Sequence, residues 1–388
     1  MKIDVLLTDG GYKHTYAMVR ALKEKGLTIG VLFNSYFSLS YCSVKVSKKI
    51  KVDSNIYNSE TVYMSELLKI LKENDIKVLM PVGNISNSII SKNKEKLASL
   101  TKVLIADYEI MKIAQFKNET FEFAENIGIP IPQTYNPSNK IELDSIINKV
   151  EYPCVIKKVN PDESGVVYCN NQIELKKHFE NLIENKETNY KFPIIQEYVK
   201  GVGTGYYALF SEGNCLASFM HKRIHEFPIT GGSSTCAKSI ENNKLKLLGD
   251  KLLSELKWTG VAMVEFKEDS KSRLKLMEIN PKFWGSVELS HKSGINFPYL
   301  YYLAALGKEV PTSNYKNNIY FEWTFPHDFM WYVFASKKQR IEYKKLKKKV
   351  KIYNNIHFDD PLTIVFNLLF TVYKVIKEKK YPHGRIDE

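Results

Sequence analysis

Residues 273–286 read RLKLMEINPKFWGS. The first eight read as one strand of a candidate hairpin. On a regular strand Leu276, Glu278 and Asn280 face one way, and Met277 and Ile279 the other. A carboxylate and an amide oxygen two residues apart on one face form half a site for a hard cation. The preceding apolar run, VAMVEFKE (261–268), offers Glu265 as a second carboxylate. Magnesium takes oxygen ligands and completes its shell with water and substrate phosphates. An exposed hairpin bearing ordinary acids is the competing reading, and spacing alone does not separate the two.

Cationic groups recur upstream. In YPCVIKKV (152–159) an apolar strand ends in Lys157 and Lys158, one of which must face inward. An inward ammonium needs an anion, because an unpaired buried charge is costly. A phosphate suits it, and Lys157 is the better candidate; a lysine that snorkels to solvent is the plainer reading. The following loop, PDESGVV (161–167), has small residues that could admit phosphate oxygens, though Asp162 and Glu163 would repel them. IIQEYVKG (194–201) breaks from an apolar strand into a Gly turn, which suits backbone contacts to an adenine edge. In FMHKRIHEFPITGGSST (219–235), alternation puts His221, Arg223 and His225 on one face, ahead of a Gly231-Gly232 turn. Arg223 suits a planar oxyanion. Cys236 reads as a small core or loop residue. Gly10-Gly11 reads as a tight turn rather than a dinucleotide loop, since G-x-G-x-x-G is not met.

The chain around these segments has 388 residues, 44% hydrophobic and 26% charged. That length calls for two or three domains, and the balance is that of a soluble globular protein. No apolar run reaches the roughly 18 residues of a spanning helix, and MKIDVLLTDGG predicts no signal peptide. Five scattered cysteines without a C-x-x-C pair argue against a disulfide framework or a zinc site, and a reducing cytoplasm fits them. The net charge is +13, and residues 337–351 alone hold nine Lys/Arg against one Glu. Most of the excess is therefore local, and no nucleic-acid face is required.

Strand-like and helix-like runs alternate over the first hundred residues: IDVLLTD (3–9), a helix ending near Gly26, TIGVLFN (28–34), MSELLKILKEN (64–74), VLMPVG (78–83). That order predicts a parallel sheet. Helical residues 109–127 stop at GIPIP, followed by a mixed region with hairpins. The predicted class is α/β, with α+β character in the second half.

In order, the chain carries Lys117 ahead of GIPIP, Lys157 in YPCVIKK, QEYVKG, HKR with TGG, VAMVEFK and LMEINPKFWGS. This set, over roughly residues 1–305, closely resembles the ATP-grasp superfamily of ATP-dependent carboxylate–amine ligases, which includes carbamoyl-phosphate synthetase, biotin carboxylase and D-alanine–D-alanine ligase. The resemblance implies a pre-ATP-grasp domain at 1–110 and a small lobe, the lid, at 111–195. It implies a large lobe with the metal site at 196–310 and a C-terminal basic and apolar extension at 311–388. It implies that Lys117 and Lys157 bind nucleotide phosphates, and that Gln196, Glu197, Tyr198, Val199 and Leu276 bind the rest of ATP. Glu265, Glu278 and Asn280 would hold magnesium or manganese. Arg223 would steady the transferred phosphoryl group. Where the family usually has Arg after E-x-N-P, this chain has Lys282, which offers charge without a bidentate fork.

The implied activity makes an acyl phosphate from a small-molecule carboxylate and ATP, then joins it to an amine. A bicarbonate- and ammonia-using ligase and a non-catalytic ATP-binding regulator are the alternatives. A homodimer is the family expectation. For the tail, DDPLTIVFNLLFTVYKVIKEKK (359–380) predicts a helix with Asp360 at the N-cap and Pro361 first in the helix. It reads either as a helix docked on the body or, with the basic run, as peripheral membrane contact through 337–376.

Overall fold

The computed structural model describes residues 2–53, 56–159, 165–184, 192–229, 232–312 and 314–378. Residues 161–164 of the PDESGVV loop and Gly231 of the Gly-Gly turn lie outside the described residues. Among those described, the strands form three sheets.

The first sheet comes from β1 (Ile3–Leu7), α1 (Lys13–Lys23), β2 (Ile29–Phe33), α2 (Leu39–Cys42), β3 (Lys48–Lys51), α3 (Glu60–Glu73), β4 (Ile76–Met80), α4 (Asn84–Lys92) and α5 (Lys94–Leu97). Its order is β3-β2-β1-β4, with every pairing parallel. IDVLL, IGVLF and IKVLM are nearly continuous apolar runs because helices cover both faces. The edge strand β3, KKIK, was not predicted: Lys49 and Lys51 are exposed at the sheet edge, and a lone Ile50 leaves no apolar signature. Gly10 is required where β1 turns toward α1. A Cβ there would lie 2.8 Å from the Leu32 carbonyl oxygen and a Val31 methyl.

The helical run expected at 109–127 is two helices, α6 (Tyr108–Gln115) and α7 (Lys117–Asn126), separated at the extended Phe116. Met111, Ala114, Phe121 and Ala124 share one core with Leu276 and Ile279. These helices therefore pack on the central body and do not belong to the lid expected from residue 111.

The small sheet contains β5 (Thr134–Tyr135), β6 (Cys154–Lys157), β7 (Val166–Cys169) and β8 (Ile194–Glu197) in the order β5-β8-β6-β7. It has its own core with α8 (Lys140–Ile147) and α9 (Gln172–Glu184), from Leu143 and Ile147 to Leu175 and Phe179. The lobe thus spans about 134–197, and Gln196 and Glu197 belong to it rather than to the large lobe.

The third sheet contains β9 (Val202–Ser211), β10 (Asn214–Phe227), β11 (Ser233–Ser239), β12 (Gly260–Glu268) and β13 (Leu274–Asn280), with α10 (Asn243–Glu255), α11 (Val287–Ser293) and α12 (Phe297–Ala305) against it. The sheet does not stop at 310. β14 (Tyr320–Glu322) pairs with β11, and β15 (Ile352–Asn354) pairs with β14, in the order β13-β12-β9-β10-β11-β14-β15. Between them lie a π-helical turn (Thr324–Asp328), α13 (Phe329–Phe334) and α14 (Lys337–Lys349), and α15 (Pro361–Glu378) follows. The expected extension is thus partly a piece of the central sheet. Asp360 does not cap its own helix with its side chain. It accepts hydrogen bonds from Ser43, Tyr16 and the Val44 N–H, fixing α15 to the first lobe.

Candidate active site

Two strands set the site. β12 and β13 pair antiparallel so that Glu265 stands opposite Glu278, and Met263 opposite Asn280. The register slips by one residue between Glu265 and Phe266, which leaves Met277 as an extra residue on β13. The bulge reverses the alternation. Leu276 is fully buried in the core with Ile279, while Glu278 and Asn280 stay together. Leu276 is therefore not on their face.

Cations converge on the two carboxylates. Lys117 Nζ, from the first turn of α7, lies 3.5 Å from Glu278 Oε2. Arg223 Nη2, from β10, donates to Glu265 Oε2 at 2.6 Å, and its Nη1 donates to the Gly232 carbonyl at 3.2 Å. The Asn280 amide donates to Glu278 Oε1 at 2.7 Å. Lys157 comes from the small sheet, where its Nζ donates to Gln196 Oε1 at 2.7 Å. It also feels the fields of Glu278, Lys117, Lys267 and Glu265. Lys157 is thus the inward lysine of the pair, held in the cleft between two sheets.

The environment separates these groups electrostatically. Burial lowers the Lys157 pKa to about 8, and Lys117 and Lys267 add to the effect against the pull of Glu278. Burial raises the Glu265 carboxyl, with Glu278 and Glu226 adding to it and Arg223 opposing. Burial also pushes Glu278 up, but Lys117, the Asn280 amide, Lys157 and Arg223 together hold it below the ordinary value. Two facing carboxylates that cannot both ionise cheaply are a natural seat for a cation. Among the described residues no cluster of three His, Cys, Asp or Glu side chains forms a metal site. Two carboxylates and an amide nevertheless suit magnesium, which commonly takes its remaining ligands from water and phosphate.

The three-donor face expected on β10 is divided. Register irregularities flank His225, and it leaves the face of His221 and Arg223. His225 stacks on Trp331 and bonds to Asp328, in a small cluster with Cys236 and Tyr343. Cys236 is fully buried there. His221 stacks on Tyr207 and bonds to Ser286 Oγ at 2.7 Å. Burial and Arg223 lower its pKa to about 3, so it is a neutral partner and not a cation.

At the hinge, both Glu197 oxygens accept from Lys275 Nζ, at 2.7 and 2.6 Å, and Oε2 also accepts the Gln133 N–H. The Glu197 carboxylate, expected to bind part of ATP, is thus ion-paired to β13. The Val199 carbonyl accepts from Lys267 Nζ at 3.1 Å, and the Tyr198 ring lies between Tyr168 and that same ammonium. Lys267 and Lys275 were not singled out from sequence. Lys267 lies two residues beyond Glu265 on one strand, and that spacing was the available signal.

A cavity of about 500 Å³ opens beside Glu265, Glu278 and Asn280 and includes Arg223 and Lys282. Gly11 to His14 of the first lobe line it, and so do Phe366 and Phe370 of α15. The backbone just past Gly10-Gly11 thus reaches the cavity from the C-terminal end of β1.

A parallel-sheet lobe, a small antiparallel lobe and a large sheet that together enclose cations and carboxylates can be compared with known proteins. The biotin carboxylase domain dimer of Hydrogenobacter thermophilus 2-oxoglutarate carboxylase, in complex with MgADP, ADP and bicarbonate, superposes with a TM-score of 0.67 at 15% identity, covering 82% of this chain and 74% of that one. The family described as ATP-grasp in the biosynthetic pathway with Ter operon matches residues 222–323. The chain carries the ATP-grasp fold. An L-amino acid ligase from Bacillus licheniformis superposes on this ATP-grasp chain with a TM-score of 0.62 at 17% identity, over 79% of this chain and 75% of that one. A D-alanine–D-alanine ligase from Fusobacterium nucleatum subsp. nucleatum is 25% identical over 187 residues, 43% of this chain and 56% of that relative. The chain spans about half the length of the curated relatives it matches.

Proposed function

We propose that the chain is an ATP-dependent ligase that activates a carboxylate as an acyl phosphate and joins it to an amine. The observation that carries this reading is the meeting of Lys117, Lys157 and Arg223, from three separate elements, around Glu278 and Glu265. Nothing in a folded body calls for so many partly buried charges, whereas two mutually repelling anionic reactants do.

Lys117 and Lys157 take the phosphate oxygens, and the Gln196–Val199 segment lies against the rest of the nucleotide. Glu265, Glu278 and Asn280 would hold magnesium or manganese, which when bound neutralises phosphate charge. Arg223, fixed by Glu265 and the Gly232 carbonyl, and Lys282, in the same cavity, neutralise the carboxylate and the transferred group. The carboxylate oxygen attacks the γ-phosphorus as the bond to ADP breaks. The amine then attacks the acyl carbon, phosphate leaves, and the amine gives up a proton. Positioning and charge compensation do the chemistry, and no Ser or Cys nucleophile is needed. The names of the two ligase relatives support starting a search with amino acids as the acid and the amine.

Hydroxylamine trapping tests the reading. ADP release that depends on one member of a carboxylate panel, with a hydroxamate formed from that acid, is the expected result. Glu278→Gln should lower turnover at least ~100-fold, the scale of losing one charge-stabilising group, with an unchanged circular dichroism spectrum. Intact ATP binding with no acid-dependent ADP release would leave a nucleotide-binding regulator instead.

A further inference from the structure

The last helix is inside out. A helix on a soluble body turns its apolar stripe inward and its polar stripe to water. In α15 the buried stripe is Thr363, Asn367 and Thr371, spaced four residues apart. Leu362, Val365, Leu368, Leu369, Val372 and Ile376 face solvent, from 45% exposed at Leu368 to 62% at Ile376. The orientation is not slack. Asp360 is tied to Ser43, Tyr16 and the Val44 N–H, and Tyr16 OH also lies 3.2 Å from Thr363 Oγ1.

The apolar face continues on both sides and has a basic border. On one side Phe37, itself half exposed, packs on Phe366 with ring centroids 4.7 Å apart. Lys51 Nζ sits 4.2 Å from the neighbouring Tyr36 ring, and Lys49 Nζ 5.1 Å from Tyr41. On the other side the π-helical turn packs against α15 and runs into α13, which exposes Phe329, Val333 and Phe334. Next comes α14, where Lys337, Lys338, Lys344, Lys345, Lys348 and Lys349 are exposed and Glu342 is the one acid of the helix.

The geometry points to an anionic lipid bilayer as the surface that covers this face, with α15 lying in the headgroup plane. An outward apolar stripe, with Lys49 and Lys51 near its Phe37 side and the lysine-rich α14 following α13 in the chain, matches acyl chains below and lipid phosphates at the level of the ammoniums. A second copy of the chain matches the apolar part but not the rest. Its own lysines and its own +13 charge would face the first copy's, and the cores of protein interfaces are depleted of charge. Among the described residues no helix is long and apolar enough to cross a membrane, so α15 lies on the bilayer. Phe366 and Phe370, on the inner side of the same helix, line the cavity described above. One helix diameter, about 10 Å, therefore separates the cavity wall from the lipid.

Co-sedimentation of the full chain with vesicles tests this independently of the ligase reading. The chain should pellet with vesicles of phosphatidylcholine mixed with phosphatidylserine, and far less with phosphatidylcholine alone or at high salt. The double variant Leu369→Glu, Val372→Glu should partition at least ~10-fold less, the scale of losing two apolar anchors, with an unchanged circular dichroism spectrum and ATP affinity. Lys344→Glu with Lys348→Glu should abolish the preference for phosphatidylserine. No pelleting with either lipid would overturn the proposal. So would a dimer by light scattering that the double Glu variant converts to monomer without any vesicle binding.

Discussion

Lys157 is the residue at which environment and proposed task meet most directly. Burial lowers its pKa to about 8, so this ammonium gives up its proton more readily than an exposed lysine does. A phosphate beside it favours the ammonium and moves the pKa back toward the ordinary 10.5. Nucleotide binding should therefore take up a proton in the window from about 8 to 10.5 and weaken as the pH rises through it. Titration calorimetry in buffers of different ionisation enthalpy measures that uptake. It should vanish well below the window and in Lys157→Met at any pH; full uptake in the variant would assign the proton elsewhere. Strand alternation required one of two successive lysines to turn inward, but on that ground alone a snorkelling lysine was the plainer reading, and it was the family resemblance that singled out Lys157. Sequence reading also found Glu265, Glu278 and Asn280 as a group. It misplaced Leu276 and His225 for one shared reason: each sits beside a register slip, and a strand that bulges no longer alternates. At Met277 the consecutive apolar pair Leu276-Met277 breaks the apolar–polar alternation where the slip occurs, whereas nothing comparable in the residue types marks Ile224.

Elements were legible where apolar runs are continuous and illegible where they are short or polar. The strands of the first sheet and the β12–β13 hairpin are long hydrophobic segments, and the structure has them near the expected positions. β14 and β15 are three residues each, too short for a periodicity, and sequence reading placed them in an appendage. Their pairing makes the appendage structural. Phe321 and Trp323 are almost fully buried, and β14 covers the edge of β11. A chain ending at residue 310 should therefore expose that edge and the aromatic floor under it, and edge exposure invites pairing with other chains. Loss of two large buried side chains alone is worth several kcal/mol, at about 3–5 kcal/mol each. Expression of the truncated chain should give aggregate, judged by size-exclusion chromatography. A monodisperse truncated chain with the far-UV spectrum of a native sheet would show that 311–388 is a separate attachment after all.

For the whole molecule, hydrogen bonds among the described residues tie the small sheet and its flanking segments to the large sheet. Glu197 on β8 bonds to Lys275 on β13, the Val199 carbonyl to Lys267, and the Pro130 carbonyl to the Leu276 N–H. All three lie at the hinge end of the cleft. At the reactive end, Lys157 on the small sheet and Glu278 on the large one sense each other's charge, and Lys157 makes its short hydrogen bond to Gln196 of its own lobe. A triphosphate in the cleft would add a tie there, binding Lys157 on one side and Lys117 and Arg223 on the other. Most of the small lobe packs on its own core, with Val159 and Ile194 joining the core of the central body, and ligand that binds only the closed arrangement stabilises it by mass action. Amide hydrogen exchange in β6 and β8 should therefore slow at least ~10-fold with saturating nonhydrolysable ATP analogue, which corresponds to about 1.4 kcal/mol. The core strands of the first sheet, already held on both faces, should change little. In Lys157→Met the protection of β6 and β8 should fall back toward the nucleotide-free level even at analogue concentrations that fill the site. Equal slowing in the variant would mean that the lobes are coupled through the hinge alone.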